Sequence, residues 1–221
     1  YGLAAAGQTL RADSRLAAEV ESAAFQLTTR RALREDNLVV LRVERLVLIA
    51  RLLPLARDWA GRAGTYVSLL TFPAEELARL PARNLGAVLL DPALPQLFLQ
   101  HRDVVSAEGA TGRLAAPTPP AQLTPQADAL EATLRTRDVF AALDAAARVG
   151  TGASASVVPD VPALEFAALV LACLPVQRRS ELGVAVGVEP PRDSTDAEAL
   201  PVKLWLVETA PALPATEVGH D

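Results

Sequence analysis

Apolar residues recur at helical spacing through DSRLAAEVESAAFQLTTRRALRED, residues 13–36, where Leu16, Val20, Ala23, Ala24 and Leu27 share one face. This predicts an amphipathic helix, capped at its start by Asp13 or Ser14. Glu19 and Glu21 come early and Arg30, Arg31 and Arg34 late, an order that suits the helix dipole. The arginine cluster therefore reads as a solvated helix end. The pattern then changes. NLVVLRVE and RLVLIARLLP are short and rich in branched residues, which predicts two strands of a hairpin. LARDWAGRAG is a turn or loop, and TYVSLLTF a third strand. Pro73 suits the first turn of a short helix, AEELARL. NLGAVLLDP predicts another short helix and PQLFLQHRDVV a strand.

Residues 107–124 hold Gly109, Gly112, Pro117, Pro119 and Pro120, the clearest linker in the chain. Beyond it, PQADALEATLRTRDVFAALDAAARV predicts a long helix that GTGAS breaks, and ASVVP a short strand. VPALEFAALVLACLPVQRRSEL predicts a helix that bends or breaks before Pro175. GVAVGV and VKLWLVET predict strands, EPPRDSTDAEALP a loop, and APALPATEVGHD a loose tail. Helices and strands mix without a regular alternation, which predicts an α+β fold. The expected organisation is an N-terminal α+β domain over 1–106, a linker over 107–124 and a second α+β domain over 125–221.

Composition narrows the function classes. The chain has 221 residues, 51% hydrophobic and 21% charged, so it can bury a sizeable core. Aromatics are only 4%, which makes that core aliphatic. A net charge of −5 argues against a dedicated nucleic-acid binder. Cys173 is the single cysteine, so no internal disulfide or cysteine metal cluster forms; its apolar helical run reads it as a buried hydrophobe. No run is long and apolar enough for a membrane helix, and no signal peptide is evident. The expected compartment is the cytoplasm. The chain has no methionine, as expected of a processed chain or a piece of a longer one.

The opening YGLAAAGQTLRADS sets Gly2 and Gly7 at the spacing of a phosphate-binding loop, followed by Thr9. It lacks the lysine that would meet the β/γ-phosphates, and only Tyr1 precedes it where a strand is needed. Nucleotide binding is not expected there. Asp91, His101, Arg102 and Asp103 suggest acid–base chemistry, but no nucleophile motif accompanies them. Arg178 and Arg179 follow Pro175 at a helix end, where meeting the last carbonyls is favoured over binding an anion. Trp59, Arg62 and Tyr66 cluster with Asp58 around a Gly-containing turn. One reading is a partner-facing loop, since aromatic and arginine side chains anchor interfaces. The other is a turn in which Arg62 pairs with Asp58 or bonds loop carbonyls.

Three segments resemble the N-terminal and middle domains of bacterial GTPase-associated proteins from conflict-type gene clusters. That family opens on Y-G-x-x-x-G-H-x-L-L-A-x-S, and Tyr1, Gly2, Gly7, Leu10, Ala12 and Ser14 stand in a similar arrangement, with one extra residue before the second glycine. Gln8 stands for the family's His and Arg11 for its Leu. RDWAGRAGTYVSLLTFP is similar to D-x-x-G-R-x-G-x-[YF]-x-S-H through Asp58, Gly61, Arg62, Gly64, Tyr66 and Ser68, with Leu69 in place of the His. Leu174, Pro175, Arg178 and Leu182 resemble the middle domain's helix end, arginine and following strand.

The resemblance implies a non-enzymatic regulatory or adaptor protein that binds a partner protein, with a GTPase as the implied partner in a bacterial conflict or signalling system. It carries over no catalytic residues, cofactor or metal. The candidate partner-binding residues are Trp59, Arg62 and Tyr66. Two alternatives stand beside this reading. One is a hydrolase or transferase with its site near His101 and Asp103; the other is a structural subunit whose Ala/Leu-rich helices form an oligomer interface.

Overall fold

The computed structural model describes residues 14–55, 64–75, 85–90, 94, 98, 138–179, 181–190 and 200–207. Helix α1 spans Ser14–Thr28 and buries Leu16, Val20, Ala23, Ala24 and Leu27, the face expected from the sequence. It ends earlier than the periodicity predicts. The hydroxyls of Thr28 and Thr29 donate to the carbonyls of Phe25 (2.6 Å) and Gln26 (2.7 Å), closing the last turn. The chain beyond is drawn onto the sheet instead. Leu33 N–H donates to the Gly187 carbonyl (2.8 Å), and Glu189 N–H donates to the Arg31 carbonyl (3.0 Å). Tertiary pairing thus overrides helix propensity.

Strands β1 (Leu38–Val43) and β2 (Leu46–Leu55) form the expected hairpin. Glu44 in the two-residue turn takes a φ of 47°, and its carbonyl accepts from Arg42 Nε. β3 (Gly64–Pro73) runs antiparallel to β2 in unbroken register from Leu46↔Pro73 to Leu55↔Gly64. Ala74 and Glu75 are helical after Pro73, as expected. A short helix α2 covers Leu85–Leu89. Phe98 is helical, which corrects the strand expected there; the rest of that apolar run lies outside the described residues.

Helix α3 spans Val139–Gly150, and the expected earlier turns lie outside the described residues. It stops where Gly152 takes a φ of +88° and its N–H donates to the Val149 carbonyl (3.0 Å). β4 (Ala155–Val157) follows, then α4 (Ala163–Cys173). The expected break before Pro175 is present: Leu174 is extended at ψ 150°, and a separate turn of helix, α5 (Val176–Arg179), follows. β5 (Gly183–Val186) and β6 (Val202–Leu206) complete the elements.

The fold is α+β; among the described residues, helices lie around a six-stranded mixed sheet of order β3-β2-β1-β5-β6-β4. β1, β2 and β3 are antiparallel, while β5, β6 and β4 are parallel. The two groups join where β1 pairs antiparallel with β5 through Leu38↔Val186, Val39↔Ala185 and Val40↔Val184. Strands from both sides of the expected 107–124 linker lie in this sheet; the linker itself lies outside the described residues.

Strand alternation sends side chains to two apolar layers. On one face Val40, Ile49, Leu70, Phe72, Val184 and Leu204 meet α2, α3 and α4. On the other, Val39, Leu41, Leu48, Ala185 and Trp205 meet α1. Close approach shapes the first layer. A Cβ on Gly86 of α2 would lie 2.9 Å from the Ala168 Cα of α4.

Candidate functional site

Of the candidate partner-binding residues, Trp59 and Arg62 lie outside the described residues, as do Asp58, Asp91, His101, Arg102 and Asp103. Tyr66 is in β3, opposite Leu53 of β2. The structure thus places one end of the expected cluster on the last strand of the described sheet.

Several of the described charged groups serve the fold. Arg179 donates Nε to the Leu174 carbonyl and Nη2 to the Ala172 carbonyl, each at 2.9 Å. It closes the C-terminal end of α4, the role favoured from sequence over anion binding. Arg178 meets Glu181 at 3.4 Å on the surface. Burial pushes the neighbouring Cys173 thiol up from its ordinary pKa, with the Arg179 charge pulling partly back, which lowers its nucleophilicity.

The arginines after α1 enter a polar corner where α1, β1, β2 and β5 converge. Arg34 grips Asp36 with two bonds, Nε–Oδ1 at 2.7 Å and Nη2–Oδ2 at 2.9 Å. That hydrogen bonding holds the Asp36 carboxyl below its ordinary pKa, against a smaller opposing effect of desolvation. Arg51 donates Nε and Nη2 to the Glu35 carbonyl at 3.0 and 2.6 Å. Asn37, fully buried, brackets β2: its Oδ1 accepts from Leu52 N–H and its Nδ2 donates to the Leu52 carbonyl, both at 2.8 Å. The same Nδ2 donates to the Arg34 carbonyl at 2.7 Å. Arg34, Asp36, Asn37 and Arg51 therefore fasten the loop to the sheet. Among the described residues, no group of three His, Cys, Asp or Glu side chains is arranged to hold a metal ion.

A feature that packing leaves unexplained is on α3. Its buried face is Ala142, Ala145, Ala146 and Val149, small side chains that let it approach α4 closely. Its larger apolar residues face outward, with Phe140 84% and Leu143 47% exposed. Val158, directly after β4, is 57% exposed. This inverts the usual amphipathic arrangement, in which the largest apolar groups are buried. The inversion was available from the sequence, because the helical wheel of VFAALDAAARVG separates Phe140 and Leu143 from the alanine face. Asn37 carried no such signal, since its partner lies fifteen positions away on β2.

No family model, curated protein or solved structure matches the chain.

Proposed function

We propose that this chain is a non-enzymatic adaptor that docks on a partner protein, and that the partner is a GTPase of a bacterial conflict or signalling system. The observation that carries the docking half is the outward Phe140–Leu143 pair of α3. Exposed aromatic and aliphatic groups on a rigid helix gain the most from burial under a partner. The GTPase half rests on the resemblance of the segments around Gly2–Ser14, Asp58–Ser68 and Leu174–Leu182 to GTPase-associated proteins. Trp59, Arg62 and Tyr66 form the second candidate surface.

The test is affinity capture from the native organism, with and without a non-hydrolysable GTP analogue, followed by mass spectrometry. A GTPase retained in a nucleotide-dependent manner is expected. The double substitution Phe140→Asp with Leu143→Ser should abolish retention while leaving the melting temperature within a few degrees, because both side chains are already solvated. Arg62→Ala should weaken retention in the same way if its loop is part of the contact. A GTPase held equally by the double variant would remove α3 from the interface. A capture in which no GTPase responds to nucleotide would overturn the reading.

A further inference from the structure

On α3 the exposed residues Phe140, Leu143, Ala147 and Gly150 recur at alternating three- and four-residue spacing, so they line one stripe away from the buried Ala142, Ala145, Ala146 and Val149. A stripe of that spacing is the seam along which two helices pack. This one tapers. Its first two positions are large and its last two small. Turned end for end, a second copy of the stripe complements the first. Phe140 comes level with Gly150 of the second copy, and Leu143 with Ala147 of the second copy. Each of the four layers then joins one large side chain to one small one, which fills space that equal partners would leave open or overfill.

The charges beside the stripe obey the same symmetry. Asp144 and Arg148 are both exposed and lie four positions apart on one flank of it. A two-fold axis across the middle of the helix turns that flank toward its own copy. Each Asp144 then comes beside Arg148 of the second copy, and the two positive and two negative charges balance.

We propose that two copies of this chain pair reversibly through α3, antiparallel about that axis, with Phe140 and Leu143 of each copy seated over Gly150 and Ala147 of the other. One 12-residue helix from each copy is a small contact, well below the size of an obligate interface. The pairing therefore comes apart readily, and a partner that docks on α3 first displaces the second copy. That displacement rests on the docking reading above; the pairing itself does not.

The test uses the purified full chain. Sedimentation equilibrium, carried up to about 1 mM, should show the mass rise from 23.3 kDa toward twice that value. Asp144→Arg and Arg148→Asp should each weaken the pairing about tenfold, because like charges then meet along the flank. Mixed one to one, these two variants should associate more tightly than either does alone, since every contact across the axis is then attractive. Both positions are exposed, so each variant should fold. Phe140→Asp with Leu143→Ser should stay monomeric throughout. A wild-type monomer at every concentration would overturn the proposal. So would a mixture no tighter than its components, or pairing that survives the Phe140 and Leu143 substitutions. A failed GTPase capture beside the expected masses would strike the docking reading alone.

Discussion

β1, β2 and β3 follow one another along the chain and pair in that order, whereas β4, β5 and β6 pair with β6 in the middle. In the first group a two-residue turn sets the β1–β2 register, and the strands are long enough to alternate cleanly between two apolar layers. In the second group the strands are three to five residues long and parallel, so each neighbour must arrive by a crossover. Local pairing positions the antiparallel half. Close backbone contacts, a helix clamp and the join to β1 position the parallel half. The two groups should therefore fail in different ways.

The largest effect is expected in the parallel half. A Cβ on Gly183 would collide with the Pro201 carbonyl oxygen, a backbone atom beside the β5–β6 register shift. Gly183→Val should cost more than about 4 kcal/mol or prevent folding, as read from denaturant midpoints. Just before β1, Asn37→Ala removes all three side-chain hydrogen bonds and strands the buried Leu52 N–H and carbonyl. A loss of about 2–3 kcal/mol is expected, with faster hydrogen exchange at the Leu52 amide.

How much of this was legible follows the same division. The hairpin, the third strand, the buried face of α1 and the break at Pro175 could be read from the sequence because each depends on residues near one another. The β1–β5 join could not. Leu38 and Val186 are apolar, β-prone residues that fit many partners, and no local feature names the right one. The early end of α1 was hidden for the same reason, since the competing bonds come from Gly187 and Glu189. Among candidate site residues, Arg179 was legible because its targets lie five and seven positions away. The candidate loop at Trp59, Arg62 and Tyr66 rested on resemblance and on turn chemistry. The outward Phe140 is legible on the helical wheel of α3, but it lies outside the cluster that resemblance and turn chemistry single out.

Smaller effects sharpen the comparison. Arg179→Ala should destabilise the chain by about 1–2 kcal/mol through the freed carbonyls of α4, without altering the affinity for phosphate or sulfate measured by calorimetry. A lost anion affinity would instead return Arg179 to the binding role. Asp36 should contribute least. Its depressed pKa means that its stabilisation is present above the ordinary carboxylate range and is lost as pH falls through the folded value. Because its side chain is 60% exposed to solvent, the contribution is small. The stability difference between wild type and Asp36→Asn should shrink as pH is lowered from about 5 to about 3; a difference that grows would reverse the assigned cause.

The central structural claim is that the two halves of the chain make one sheet through β1 and β5. It is tested most directly by producing residues 1–106 and 125–221 separately and together, and recording amide spectra of each. The expected result is that neither piece folds alone and that dispersed strand resonances for Val39 and Ala185 appear only on mixing. Two independently folded pieces, with spectra unchanged on mixing, would contradict it.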